Sequence, residues 1–122
     1  MRKRIVVVED EADVAKMIKF VLEKKGFEVF IASDGLKGYE SVRDNLPDLI
    51  LLDLCLPGLN GIELSQKLNQ EQKLKSIPIL LLTASADNIN KKAQESRASD
   101  FLLKPFDYLE LIKKVKSLVG DN

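Results

Sequence analysis

An aspartate, Asp53, directly follows the aliphatic run Leu49-Ile50-Leu51-Leu52 and precedes Leu54-Cys55-Leu56-Pro57-Gly58-Leu59-Asn60-Gly61. An aliphatic run of this length suits a fully buried strand and is too short for a helix. The Pro-Gly and Asn-Gly pairs mark a loop, so Asp53 is expected at the rim of a sheet, where a buried strand emerges. Other polar groups recur in the same setting: Ile5-Val6-Val7-Val8 runs into Glu9-Asp10-Glu11, Pro78 to Leu82 into Thr83, and Phe101-Leu102-Leu103 into Lys104. Each has a plainer reading. Asp10 or Asp13 would cap a helix, Thr83 would cap another, Lys104 would be a solvated rim charge, and Asp53 itself a cap or loop residue. Their coincidence at successive strand ends favours one shared site.

Three carboxylates in one crevice repel each other. A hard divalent cation with oxygen ligands relieves the repulsion. Mg²⁺ suits best, because it binds through one or two carboxylates and completes its shell with water and phosphate oxygens. Aspartate is also a nucleophile in aspartyl-phosphate chemistry. Phosphoryl transfer asks mainly for positioning and for neutralised charge on the phosphoryl oxygens, which the Lys104 ammonium and the Thr83 hydroxyl would supply. A carboxylate nucleophile needs no general base at neutral pH.

Other chemistries are excluded. The chain has no histidine, so Ser-His and Cys-His catalysis, histidine metal ligands and a phosphohistidine of its own are all absent. No CxxC, GxGxxG or GxxxxGK[ST] pattern occurs. Its 122 residues make one domain. Nineteen basic and nineteen acidic residues cancel, which gives no sign of nucleic acid or an anionic membrane as partner. The single cysteine, Cys55, rules out an internal disulfide and suits a reducing compartment. No membrane span or signal peptide is evident, so a cytoplasmic location is expected.

The elements needed to position these groups are readable in order. After the first strand, Val14, Met17, Ile18, Val21 and Leu22 recur at helical spacing, and Lys24-Lys25-Gly26 ends that helix. Glu28 to Ala32 is a second strand, and Ser33-Asp34-Gly35 starts a second helix reaching Asn45, with Gly38 inside it at a cost of about 1 kcal/mol relative to alanine. A third helix on Ile62, Ser65 and Leu68 is continued by the polar run Asn69 to Lys75. A weak fourth helix covers roughly Asn88 to Ser96, and the last carries Leu111, Ile112, Val115, Leu118 and Val119 on one side. Five buried strands alternating with five helices imply an α/β sandwich with a parallel sheet covered on both faces. The strand ends then share one rim, where ligands bind at the topological switch point.

On these residues the chain resembles the CheY-like receiver domain of two-component response regulators, across residues 1–122. The resemblance implies a flavodoxin-like (βα)5 fold, doubly wound, with a five-stranded parallel sheet in the order 2-1-3-4-5. It implies that Glu9 and Asp10 hold Mg²⁺ together with Asp53 and the backbone carbonyl of Cys55. The phospho-acceptor maps onto Asp53, within a DxxxPxxxG pattern met by Asp53, Pro57 and Gly61. The hydroxyl and lysine fall on Thr83 and Lys104, and a KPF triplet is present as Lys104-Pro105-Phe106. A cis peptide between Lys104 and Pro105 is implied, as is a switch in which Thr83 moves toward the phosphate and Phe101 repacks inward; Phe101 read plainly is an edge-strand aromatic. Partner docking is implied for Phe20 and Phe106, although Phe20, about 130° off the first helix's apolar stripe, also reads as an ordinary exposed aromatic.

Departures from the family pattern carry expectations of their own. Arg97 stands where receivers commonly have glycine, and a left-handed Arg97 would cost about 1–2 kcal/mol, so a rearranged or mobile loop is expected there. Glu9 replaces the more frequent aspartate. Neither Cys55 nor Ser85 is an acid or amide able to orient a hydrolytic water, so self-dephosphorylation is expected to be slow.

The expected function is a phospho-accepting signalling receiver of a two-component or phosphorelay system. Its donor is a phosphohistidine on a sensor histidine kinase or a histidine phosphotransfer protein. Its output is an unidentified protein reached through the fourth helix, fifth strand and fifth helix. It is not an enzyme beyond its own phosphorylation and dephosphorylation, and it makes no direct contact with nucleic acid or membrane. The chain reads as stand-alone, ending without an output region; a receiver excised from a longer regulator or hybrid kinase is the alternative. Another is an interaction module of the same fold that is never phosphorylated. A haloacid-dehalogenase-like phosphatase would need a second aspartate where Cys55 stands, and a flavodoxin-type phosphate loop would be repelled by Glu9-Asp10-Glu11.

Overall fold

Every strand of the sheet has hydrophobic neighbours above and below, and the alternation along each strand divides the core in two. The computed structural model describes residues 2–56, 60–84 and 87–120. Its elements run β1 (Arg4–Val8), α1 (Ala12–Lys24), β2 (Glu28–Ala32), α2 (Gly35–Asn45), β3 (Leu49–Asp53), α3 (Gly61–Asn69), β4 (Ile79–Thr83), α4 (Ile89–Glu95), β5 (Asp100–Leu103) and α5 (Tyr108–Val119). The strands are all parallel, in the order β2-β1-β3-β4-β5. This is the doubly wound sandwich the sequence implied, and β1 and β3 meet at the centre. No helix among the described residues is long and apolar enough to cross a membrane.

Successive residues of a strand face opposite sides, so the continuous aliphatic runs serve both faces. Ile5, Val7, Leu49, Leu51, Leu80 and Leu82 pack against Ile18 and Leu22 of α1 and Leu111 and Val115 of α5. Val6, Val8, Ile50, Leu52 and Leu81 pack against Val42 of α2 and Leu64 and Leu68 of α3. Gly38 serves this second face. A Cβ there would lie 2.9 Å from both γ-methyls of Val8, so the glycine lets α2 close onto β1.

Several local expectations give way. The N-cap of α1 is Glu11 and makes no side-chain capping bond, so neither Asp10 nor Asp13 plays that part. Asn88, not Thr83, precedes α4 as its N-cap. The polar run after Leu68 does not prolong α3, which ends at Asn69; residues 71–77 fold into turns that bury Leu74, with the Leu74 and Lys75 amides both donating to the Glu71 carbonyl. Asp34 does cap α2, accepting from the Lys37 amide at 2.8 Å. Asn60 and Glu63 form a reciprocal capping box at the start of α3.

The loop expected to rearrange at Arg97 does not. Arg97 keeps the left-handed conformation, with φ 54°. It ends α4 in a Schellman arrangement: the Arg97 amide donates to the Gln94 carbonyl at 3.2 Å and the Ala98 amide to the Ala93 carbonyl at 2.9 Å. Two helix-terminal carbonyls thereby gain donors, which offsets the strain of an arginine in this region.

Candidate functional site at the carboxyl rim of the sheet

The groups singled out in the sequence converge because neighbouring strands end in step. Asp53 is the last residue of β3 and pairs with Leu82, so Thr83 lies one residue further along β4. The Lys104 amide donates to the Thr83 carbonyl at 2.8 Å, which carries the β4–β5 ladder one step past β5 and sets Lys104 beside Thr83. The Glu9 amide donates to the Ala32 carbonyl at 3.0 Å, which continues the β1–β2 ladder past Val8 in the same way. The peptide bond between Lys104 and Pro105 is cis.

Lys104 is the centre of the charge network. Its Nζ donates to Glu9 Oε1 at 2.6 Å and to Asp53 Oδ2 at 2.9 Å. Glu11 Oε1 stands 3.6 Å away. The second oxygens are also held: Glu9 Oε2 accepts from the Glu11 amide at 3.2 Å and Asp53 Oδ1 from the Cys55 amide at 2.9 Å. Glu9, Asp53 and Thr83 are buried, whereas Asp10 and Cys55 are exposed.

Burial pushes the Glu9 carboxyl up from 4.5 to about 7; the Lys104 hydrogen bond works against that rise, and Asp53 adds to it. For Lys104, burial alone would lower the pKa. The hydrogen bonds to Glu9 and Asp53, with the attraction of both carboxylates, more than reverse this and hold the ammonium above its ordinary value.

Glu9, Asp10 and Asp53 each offer a carboxylate oxygen within 4.8 Å of the others. Three hard oxygen donors so close fit a small divalent cation of the Mg²⁺ or Ca²⁺ type. Gly61 closes the site from behind. A Cβ there would lie 2.7 Å from the Asp53 carbonyl oxygen and 2.9 Å from the Leu54 Cα, so only glycine lets α3 begin against the loop that follows the aspartate. Pro57 of the same sequence pattern, and Ser85 after Thr83, lie outside the described residues.

The remaining singled-out residues sit around this centre. Phe101, in β5 opposite Leu81, is half-buried and packs on the α2–α3 side of the core. Phe106 packs edge-to-face on Tyr108, with ring centroids 5.9 Å apart, and joins Lys104, Pro105 and Val14 around a cleft of about 390 Å³. Phe20 is 55% exposed on α1, and Lys24 Nζ lies 4.9 Å over its ring; it is not part of the charge cluster. One participant, Glu11, escaped the sequence reading, and Gly61 figured there only as part of the Asp53-Pro57-Gly61 pattern. Glu11 approaches Lys104 through its side chain and Glu9 through its amide, and its place in the acidic run Glu9-Asp10-Glu11 was the available signal. The close approach at Gly61 left no signal beyond the spacing itself.

The model of the response regulator receiver domain matches residues 5–116, and the chain belongs to that family. It is 40% identical over 123 residues to the DNA-binding response regulator MtrA of Mycobacterium tuberculosis; the match takes in all of this chain and 53% of MtrA. The chain thus spans about half the length of the curated relatives it matches. Among solved structures, the receiver domain of the sensor histidine kinase PA1611 of Pseudomonas aeruginosa superposes with a TM-score of 0.90 at 27% identity, covering 98% of this chain and 99% of that one. That structure has a magnesium ion coordinated in its active-site cleft. The chemotaxis protein CheY4 of Vibrio cholerae, at 24% identity and a TM-score of 0.91 over 97% of this chain and 99% of its own, shares the fold. The protein is therefore a receiver domain of two-component signalling.

Proposed function

We propose that Asp53 is the phospho-acceptor and that residues 1–122 work as one receiver unit. The observation that carries this reading is a buried carboxylate at the end of β3, held 2.9 Å from the Lys104 ammonium, with Glu9 and Asp10 offering oxygens within 4.8 Å. In the transfer, an Asp53 oxygen attacks phosphorus, the P–N bond of the donor's phosphohistidine breaks, and the imidazole leaves with the electron pair. Lys104 and the Thr83 hydroxyl take up charge on the phosphoryl oxygens. The Cys55 amide on Asp53 Oδ1 fixes the carboxylate's orientation, so that the other oxygen faces the donor. Glu9, Asp10, Asp53 and the Cys55 carbonyl are the groups proposed to hold Mg²⁺, a choice supported by the ion reported for the Pseudomonas receiver. When bound, that ion neutralises the acidic cluster and recruits the phosphate oxygens.

The chain acts on no substrate but itself. Its donor is a sensor histidine kinase or a histidine phosphotransfer protein, docking on the exposed ring of Phe20 and beside Phe106. A phosphate on Asp53 then draws Thr83 toward it, and Phe101 repacks behind, altering the face of α4, β5 and α5 for an output protein. The cytoplasm is the proposed setting, where the exposed Cys55 thiol stays reduced. Neither Cys55 nor Ser85 can orient water by an acid or amide group, so the acyl phosphate is long-lived. The relatives' name favours an output that ends on DNA through a region other than this receiver, which itself touches no nucleic acid.

The test is intact mass after incubation with acetyl phosphate, with and without Mg²⁺, for wild type and Asp53→Asn. A gain of one phosphate that needs both the metal and Asp53 is expected. Phosphate gained by Asp53→Asn, or none gained by wild type with Mg²⁺, overturns the assignment.

A further inference from the structure

We propose that residues 71–77 are a strap that opens as a unit of its own, and that Tyr39 of α2 and Glu71 form the latch that holds it closed. The strap joins α3 to β4, and its backbone bonds close mostly on themselves. The Leu74 and Lys75 amides both donate to the Glu71 carbonyl at 3.0 Å, and the Ile77 amide donates to the Leu74 carbonyl at 3.2 Å. At its start the Glu71 amide donates to the Leu68 carbonyl at 3.1 Å, carrying on from α3. These bonds give the strap its shape without tying it to α2 or to the sheet. Leu74 and Ile77 hold it by packing on the α2–α3 side of the core. Among the described residues, the side-chain hydrogen bond that ties it to α2 runs from the Tyr39 hydroxyl to the Glu71 carboxylate.

A hydroxyl that donates to a carboxylate makes a hydrogen bond of the stronger, charge-assisted kind. That bond raises the Tyr39 phenol above its ordinary pKa; burial and the Glu71 charge add to the rise, and Arg43 opposes it. The ring is itself held between two helices. Lys67 Nζ of α3 lies 4.7 Å from its centre and Arg43 Cζ of α2 lies 5.7 Å away, both placed to attract the ring face. The strap has little else to keep it shut. Gln72, Lys73, Lys75 and Ser76 are exposed, and Leu74 is its one deeply buried side chain. Few buried apolar contacts and exposed backbone bonds are the marks of a segment that opens locally. Opening withdraws Leu74 from the core it shares with Val42, Leu64 and Leu68 and breaks the latch. The strap leaves α3 at the end opposite Gly61, so this motion is separate from the contact on the Asp53 carbonyl.

The test is amide hydrogen exchange, read residue by residue by NMR at rising sub-denaturing urea, for wild type, Tyr39→Phe, Glu71→Ala and the double variant. In wild type the Leu74, Lys75 and Ile77 amides are expected to exchange faster than those of β3 and β4. Their rates should also depend less on urea, because a local opening exposes little surface. Tyr39→Phe and Glu71→Ala should each speed the three strap amides about fivefold to tenfold. The double variant should go little further than either single one, since both changes remove the same bond. Strap amides that match β3 and β4 in protection and urea dependence overturn the separate opening. Unchanged strap exchange in Tyr39→Phe, or effects that multiply in the double variant, overturn the latch.

Discussion

Arg4 opens β1 and Glu9 follows its last residue, so one strand carries a charge network at each end of the sheet. At the amino end, the Arg4 guanidinium donates to Glu28 Oε1 at 3.1 Å and to the Asn45 carbonyl at 3.1 Å, while its amide meets Asp48 Oδ2 at 2.8 Å. The paired side chains there are 44% and 43% exposed. At the carboxyl end, the corresponding figures are 15% for Lys104, 0% for Glu9 and 8% for Asp53. Water shares the charge at the first end and is largely shut out at the second. At the carboxyl end two buried carboxylates and the nearby Glu11 lean on one ammonium. Folding alone does not favour such an excess of buried charge, and groups perturbed in this way mark sites that bind or react. The amino end is a tie between strands and loops, the carboxyl end a buried cluster of charge.

The contrast can be broken most directly at Lys104. Lys104→Met leaves Glu9 and Asp53 buried without a counter-ion and should cost about 3 kcal/mol of metal-free stability near pH 7.5. Urea denaturation in EDTA measures this, and a loss no larger than at Arg4 would erase the distinction between the two ends.

The pH dependence of the metal-free protein is the next largest effect. Because the folded-state pKa of Glu9 is raised from 4.5 to about 7, the folded protein keeps a proton that the unfolded chain gives up above about pH 4.5. Glu9 therefore adds stability that is complete below that pH and is lost as pH rises through 7, a swing on the order of 2 kcal/mol between pH 5 and pH 7.5. Glu9→Gln should remove this part of the slope and Glu28→Gln should leave it. Identical slopes for the two variants would mean that the ends do not differ in the way their burial indicates.

Gly61→Ala sharpens the comparison from the backbone side. Its Cβ would press on the Asp53 carbonyl at 2.7 Å, costing about 1–2 kcal/mol and slowing phosphorylation by acetyl phosphate. A normal phosphorylation rate would show that α3 can shift without moving the aspartate. The smallest effect belongs to the amino end. Glu28→Gln should cost less than about 1 kcal/mol, shrink further in high salt, and leave acetyl phosphate labelling unchanged.

Much of this was legible because it is local. The aliphatic runs ending in Glu9, Asp53, Thr83 and Lys104 announced both the strands and their polar ends, and a parallel sheet must gather those ends at one rim. The reading faltered where a local signal had a competitor. Asp10 and Asp13 look like caps for α1, yet the amide of Glu11 turns instead to the carboxylate of Glu9. The polar residues after Leu68 look like more helix, yet Leu74 is drawn into the core and turns form to allow it. Arg97 looks unfit for a left-handed position, yet two helix-terminal carbonyls find their donors only if it adopts one.

The sequence by itself determined the order of strands and helices, the placing of an aspartate and a lysine at successive strand ends, and the exclusion of chemistry that needs histidine. Periodicity and residue type are properties of the chain before it folds. Only the tertiary structure decided that Glu9 is buried while Asp10 stays in water, that Lys104 reaches Glu9 as well as Asp53, and that Gly38 and Gly61 are required by the approach of Val8 and of the Asp53 carbonyl. Those outcomes depend on distances between segments far apart in the chain, fixed when helices close on both faces of the sheet and its strand ends are brought level.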